Sequence, residues 1–308
     1  MIPITVQHIE AAAARIAPHV RVTPSLFADE LGASLKLEYL QHAGSFKARG
    51  AFHHLLTRGV GAAGVTAASG GNHGAAVAYA AKRLGHAARI FVPQISSVMK
   101  VNKIKEFGAE VVIGGERYQD AQEACNQYAK ESGALLIHPF DAWETIAATG
   151  TVAREWEQQA GPFDTVLVAC GGGGLVAGMA LYWKGRTKVI AIEPVGSCAL
   201  HAALEAGKVV DVSVESIAAD SLGARHTGET VLEVAKDTGL IVRLVTDEAI
   251  SAALRWLWSR YRIVSEPGGA AALGALLSGV YVPEKDERVG VLLCGANVSL
   301  SALSKIVG

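Results

Sequence analysis

Four segments of this chain combine residue types that could do chemistry. In Gly44-Ser45-Phe46-Lys47-Ala48-Arg49-Gly50, a lysine stands between an aromatic and small residues, just ahead of an amphipathic stretch. Burial there would lower the lysine pKa and free its amine as nucleophile or base. Taken alone, the segment reads more simply as a surface lysine at a helix start. Cys170-Gly171-Gly172-Gly173-Gly174-Leu175 follows the apolar run TVLVA. Successive glycines let backbone N–H groups turn toward one point, and a following helix adds its positive end, which makes an anion cradle. The same segment also reads as a loose dinucleotide fingerprint. Gly172-x-Gly174-x-x-Ala177 is followed by Glu193, where a ribose-binding acid would sit about 20 residues on. By itself it does not separate a nicotinamide cofactor from another phosphate ligand. Ser69-Gly70-Gly71-Asn72-His73-Gly74 is a polar turn before an Ala-rich helix, with N–H groups for a carboxylate, although helix capping explains its Ser and Asn almost as well. Cys294-Gly295-Ala296-Asn297 ends the last apolar run.

The elements that must position these residues read as α/β layers. Eight strands are expected at 35–39, 64–68, 88–92, 110–113, 135–137, 165–169, 188–193 and 288–294, most of them continuous apolar runs of the kind covered on both faces. Helices are expected at 47–57, 73–84, 97–107, 118–131, 143–159, 175–184 and 248–261. Lys100, Lys103 and Lys105 read as a solvated basic face, Trp256 and Trp258 as core or interface packing, and Arg225, His226 and Arg243 as ordinary surface charges.

Composition narrows the class. The chain has 308 residues, 28 basic against 29 acidic, 50% hydrophobic residues and 34 glycines. A near-zero net charge without a dense basic run gives no footprint for nucleic acid or a membrane surface. Four scattered cysteines form no Cys-x-x-Cys pair and read as reduced thiols in a cytoplasmic protein. The uncharged stretch Thr165–Trp183 is interrupted by glycines and reads as strand, turn and helix, not a membrane span.

GSFKARGA, SGGNHG, CGGGGL and LLCGAN, in this order and at wide spacing, together resemble the pyridoxal-phosphate enzymes of fold type II (tryptophan synthase β-like), specifically the serine/threonine dehydratase and serine racemase family. The likeness runs from Arg21-Val-Thr-Pro24 and Leu35-Lys-Leu-Glu38 through His138-Pro139, Gly150-Thr151, Glu193-Pro194 and Ser265-Glu266-Pro267. It implies two domains, each a mostly parallel twisted sheet flanked by helices: 1–63 with 143–308 as the large one, and 64–142 as a small one carrying the asparagine loop. It implies that Lys47 forms the Schiff base with pyridoxal 5'-phosphate, that Phe46 packs on its ring and that Asn72 bonds its 3-oxygen. Gly171, Gly172, Gly173 and Gly174 would hold the phosphate, which settles the tie against a dinucleotide. Ser69, Gly70, Asn72 and His73 would line the loop that takes the substrate carboxylate, and Cys294 would face the pyridine nitrogen.

The implied reaction is β-elimination of water from a β-hydroxy amino acid, an ammonia-lyase reaction giving a 2-oxo acid and ammonia. Serine or threonine is the default substrate, with 3-hydroxyaspartate or a bulkier 3-hydroxy amino acid behind it. Racemases of the family carry a serine where Gly70 stands, so a serine racemase is a weaker alternative, and a nicotinamide oxidoreductase built on Gly172–Glu193 is an alternative of another class. The racemase branch's divalent-metal site needs an acid six residues after Glu193, where this chain has Ala199. That leaves only a monovalent cation near Glu193. A homodimer is expected from the family alone.

Overall fold

The computed structural model describes residues 4–307. Ten short strands, β1 (Ser25–Ala28), β2 (Ala33–Leu37), β3 (Val65–Ala68), β4 (Ala88–Val92), β5 (Glu110–Ile113), β6 (Leu135–Leu136), β7 (Thr165–Ala169), β8 (Lys188–Pro194), β9 (Ile241–Val245) and β10 (Val289–Leu293), divide into two sheets. The larger runs β1-β2-β10-β7-β8-β9 and the smaller β5-β4-β3-β6. Every pairing is parallel except β1 with β2. Strands such as TVLVA and VGVLL are buried at every position, as all-apolar runs demand when helices cover both faces of a sheet.

The parallel register has a direct consequence for function. β2, β10 and β7 lie side by side, with Leu35 opposite Val291 and Val291 opposite Leu167, so their carboxyl ends open on one edge. From that edge spring the loops to Lys47, Cys294 and the four glycines. In the smaller sheet β3 lies between β4 and β6. The loop after β3, Ser69–Gly71, is therefore flanked by the 93–97 loop after β4 and by His138–Phe140 after β6. Each sheet has its own apolar core.

Close backbone approach fixes the helices against one another. The Trp143–Ala160 and Gly174–Trp183 helices cross so tightly that a Cβ on Gly150 would stand 2.8 Å from the Gly178 carbonyl. Beneath the Lys47–Arg58 helix lies a buried charge cluster. Arg49 Nη2 meets Glu38 at 2.7 Å and Glu155 at 2.9 Å, while Lys36 Nζ meets Glu155 at 2.6 Å and donates to the Thr23 carbonyl at 2.7 Å. Two cations face two carboxylates, so the cluster is neutral while it ties β2 to two helices.

The eight expected strands are present, with ends shifted by one or two residues, and two more complete the sheet. β1 and β9 are its edges. β1 has only four residues, and in IVRLV the central Arg243 is exposed. Helices Val6–Ile16, Ala199–Ala206, Ala219–Leu222, Glu229–Thr238, Pro267–Leu277 and Leu300–Val307 were also not expected from the sequence. PGGAAALGALL gives no amphipathic period because Gly268 through Ala275 are buried all round. Among the described residues no helix is long and apolar enough to cross a membrane, and Thr165–Trp183 is β7, the glycine turn and a helix.

The surface readings divide. Trp256 packs against the core and its ring lies 5.4 Å from that of Tyr261, while Trp258 is 42% exposed. Arg225 pairs with Asp211 at 3.6 Å, with both side chains exposed. The basic face of 98–106 is not simply solvated. Lys100 meets Asp220 at 2.9 Å and Lys103 donates to Asn297 Oδ1, because this helix lies along the cleft between the two sheets.

Candidate active site

The Lys47 loop is held against the Cys294 loop by backbone bonds. Phe46 N donates to the Cys294 carbonyl at 3.2 Å, Ala296 N donates to the Gly44 carbonyl at 3.0 Å, and Ser45 bridges Gly295. Lys47 opens its helix, and its Nζ lies 5.1 Å from the Phe46 ring centroid and donates to the Pro139 carbonyl at 2.6 Å. Among the described residues no carboxylate pairs with it. Burial pushes its pKa down from 10.5 to about 8. The amine therefore loses its proton far more readily than an ordinary lysine, and it is held by a carbonyl, as suits a nucleophile or base.

On the same edge of the larger sheet, the glycine loop leaves β7 and turns through Gly173 at φ +89° into the Gly174–Trp183 helix. A Cβ on Gly171 would stand 2.9 Å from Leu222 Cα, and one on Gly174 would stand 2.9 Å from Phe140 Cα. Among the described residues, the N–H groups of Gly171, Gly172 and Gly173 have no protein acceptor. Free donors at a helix start, in a loop too tight for any side chain, suit a phosphate.

Cys294 ends β10 and is 4% exposed, its Sγ 3.8 Å from the Gly268 carbonyl. Burial, with the Glu266 carboxylate adding to it, raises its pKa far above the usual thiol value, so it stays neutral. A neutral thiol can hydrogen-bond a ring nitrogen without holding it protonated as a carboxylate would.

Asn72 is already engaged at both ends of its amide. Nδ2 donates to Glu266 Oε1 at 2.5 Å, and Oδ1 accepts from Asn297 Nδ2 at 2.6 Å. An amide nitrogen has two hydrogens, so one N–H remains for an oxygen in the cleft. Glu266 also accepts from Asn297 N at 3.1 Å, and its burial raises its pKa.

One cavity is lined by Phe46, Lys47, Asn72, Phe140, Cys170 to Leu175, Ser221, Leu222, Glu266 and Cys294. It gathers the lysine, the ring partner, the asparagine, the glycines and the thiol in one place. Ser69, Gly70 and His73 stand outside its lining. Ser69 Oγ accepts from Gly71 N at 3.2 Å, and His73 Nε2 lies 2.9 Å from the Ile137 carbonyl. Burial, with Lys47 nearby, lowers the His73 pKa to about 3, so its ring is neutral packing while its backbone forms the loop. Glu193 lies elsewhere, accepting from Leu200 N at 3.0 Å and His201 N at 2.8 Å, with burial raising its pKa to about 7. Both its oxygens are occupied by the start of the Ala199–Ala206 helix.

Phe140, Leu222 and Ser221 line the cavity without any cue in their own segments, since the sheet order alone brings them there. Glu266 did carry a signal, an acid directly before a proline in an apolar stretch.

The set fits a planar cofactor bearing an aldehyde and a phosphate. Independent comparisons agree with the geometry. Residues 16–295 match the model of the family described as "Pyridoxal-phosphate dependent enzyme". The chain is 37% identical to a phenylserine dehydratase from Ralstonia pickettii over 96% of this chain and 94% of that one. It is 35% identical to a catabolic L-threonine dehydratase from Staphylococcus aureus over 99% of this chain and 92% of that one. The structure of maize serine racemase superposes with a TM-score of 0.92 at 32% identity, covering 98% of this chain and 96% of that one.

Proposed function

The chain belongs to the pyridoxal-phosphate-dependent enzymes, and from that premise we propose that it removes water from a β-hydroxy amino acid, giving a 2-oxo acid and ammonia. The observation that carries this reading is the buried amine of Lys47, held by a carbonyl in the cavity that the glycine loop and the neutral Cys294 enclose.

When bound, the cofactor withdraws electrons from the substrate's α-carbon. The rest falls to the protein. Gly171 to Gly173 offer N–H groups to the phosphate, Phe46 gives the ring an apolar face, and the remaining N–H of Asn72 orients the ring oxygen. Lys47 Nζ would hold the cofactor's aldehyde and would serve as the base for the substrate's α-proton. Loss of that proton and of the β-hydroxyl leaves an enamine, whose hydrolysis regains the water and releases ammonia. The loop 69–72 receives the substrate carboxylate, and the first-turn N–H groups of the Asn72–Leu84 helix face it.

The substrate's side chain follows from the lining. Phe140 and Leu222 give the cavity apolar walls, and no arginine lines it. That favours an apolar or small β-substituent, as in phenylserine, threonine or serine, over the second carboxylate of 3-hydroxyaspartate. Arg225 and Arg243 are exposed on the surface away from this lining. Racemisation is the second reading, favoured by the close superposition on a serine racemase and disfavoured by Gly70. The domain division at 64 and 143, a homodimer and a cytoplasmic setting belong to the same reading. The unpaired Cys125, Cys170, Cys198 and Cys294 support the last of these.

The test is a panel of serine, threonine, 3-phenylserine and 3-hydroxyaspartate stereoisomers, assayed for oxo acid, ammonia and inverted amino acid. Oxo acid with ammonia in equal amounts is the expected result. Inverted amino acid without ammonia would replace this reading by the racemase one.

A further inference from the structure

Gly70 has no side chain, yet the space beside it is filled. A Cβ built at Gly70 would stand 2.8 Å from Ser96 Cβ, and Ser96 Oγ is nearer still. The hydroxyl of Ser96 therefore occupies the volume into which a side chain at position 70 would project.

Sheet order explains how residues so far apart in sequence meet. β3 and β4 are paired with Ala68 opposite Phe91, and Ser69 N donates to the Phe91 carbonyl at 3.0 Å. The loops that leave these strands run side by side. A tight turn, Ser96 N to the Pro93 carbonyl at 3.0 Å, presents the serine toward the 69–72 loop. Ser96 is half-buried, and among the described residues its hydroxyl has no hydrogen-bond partner. The helix that follows is tethered across the cleft, Lys100 to Asp220 at 2.9 Å and Lys103 to Asn297. The serine is thus held over the loop by its own strand on one side and by the larger sheet's elements on the other.

We propose that Ser96 is a substrate-binding residue whose hydroxyl donates to the carboxylate of the amino acid lying on the Ser69–Asn72 loop. The proposal rests on the reading that this loop receives the carboxylate. The chemistry is a match of need and supply. Gly71 N is already given to Ser69 Oγ. A carboxylate has about four lone-pair sites, more than the remaining loop N–H groups fill. A hydroxyl donating to an ionised oxygen makes a charge-assisted bond, about twice as strong as a neutral one. The position that Gly70 leaves empty is thereby functional, and its functional group comes from another strand.

The test moves the hydroxyl between the two loops. In the holoenzyme, Ser96→Ala should raise KM for the β-hydroxy amino acid about tenfold, with kcat changed by less than about twofold, since the bond is made equally in ground and transition states. Affinity for glycine, which carries the carboxylate but no leaving group, should fall about tenfold, while affinity for ethylamine, which lacks the carboxylate, should hold. Gly70→Ser alone should collide with Ser96. The double variant Ser96→Gly with Gly70→Ser should regain most of the glycine affinity, and Ser96→Gly with Gly70→Ala, which fills the space without a hydroxyl, should not. Unchanged glycine affinity in Ser96→Ala, or equal recovery by the two double variants, would overturn the proposal. Wild-type protein that formed no oxo acid would sink the dehydratase reading alone, because the glycine affinities still decide Ser96.

Discussion

Among the described residues, Lys47 has one polar partner, the Pro139 carbonyl. Burial lowers its pKa from 10.5 to about 8. A lowered lysine pKa means that the neutral, reactive fraction grows as pH rises through that value and levels off above it. The rate at which cofactor-free protein takes up pyridoxal phosphate should follow this curve, with its midpoint near 8. A rate still climbing toward 10.5 would mean an exposed lysine. Cys294 is a thiol kept neutral by burial and by the nearby Glu266 carboxylate, so what it could offer a pyridine ring is a hydrogen bond and no charge.

At the scale of elements, the glycine loop and the Lys47–Arg58 helix do different work. In the proposed role, the loop would hold a phosphate through its shape. Gly171→Ala should weaken pyridoxal phosphate binding by at least about tenfold, measured by equilibrium dialysis, because its Cβ would press on the Leu222 backbone at 2.9 Å. An affinity equal to wild type would show that the loop has room to spare. The helix is held through Arg49, whose guanidinium faces Glu38 and Glu155. Arg49→Met leaves two carboxylates against Lys36 alone and should cost about 3–5 kcal/mol of stability by denaturant titration. Adding Glu38→Gln should return part of that loss. These two elements also mark what the sequence made legible. CGGGGL and GSFKARGA are each ambiguous alone, and they became legible only in order with SGGNHG and LLCGAN, through the family that the four together resemble. The partners of Asn72 were not, since Glu266 lies 194 residues away and Asn297 lies 225 away, brought close only by strand order. The basic face of 98–106 was misread for the same reason: its amphipathic pattern is that of a solvated helix, and only the packing of two sheets shows what Lys100 and Lys103 reach.

For the whole molecule, two sheets with separate cores meet at a cleft that holds the lysine and the glycines on one side and the asparagine loop on the other. Tethers such as Lys100–Asp220 and the Asn72–Glu266 bond cross that cleft. We propose that the small unit, residues 64–142, moves as a body and closes on substrate, shutting out water. The radius of gyration of the holoenzyme in solution scattering should then shrink on adding glycine. Equal scattering curves with and without glycine, at saturating occupancy, would count against closure.

In the proposed function, one lysine at this edge of the larger sheet carries the chemistry. Borohydride reduction of the yellow holoenzyme, followed by proteolysis and mass mapping, tests it most directly. A single pyridoxyl adduct is expected, on the peptide containing Lys47, with no adduct or turnover in Lys47→Ala. A colourless protein, or an adduct on any other lysine, would contradict it.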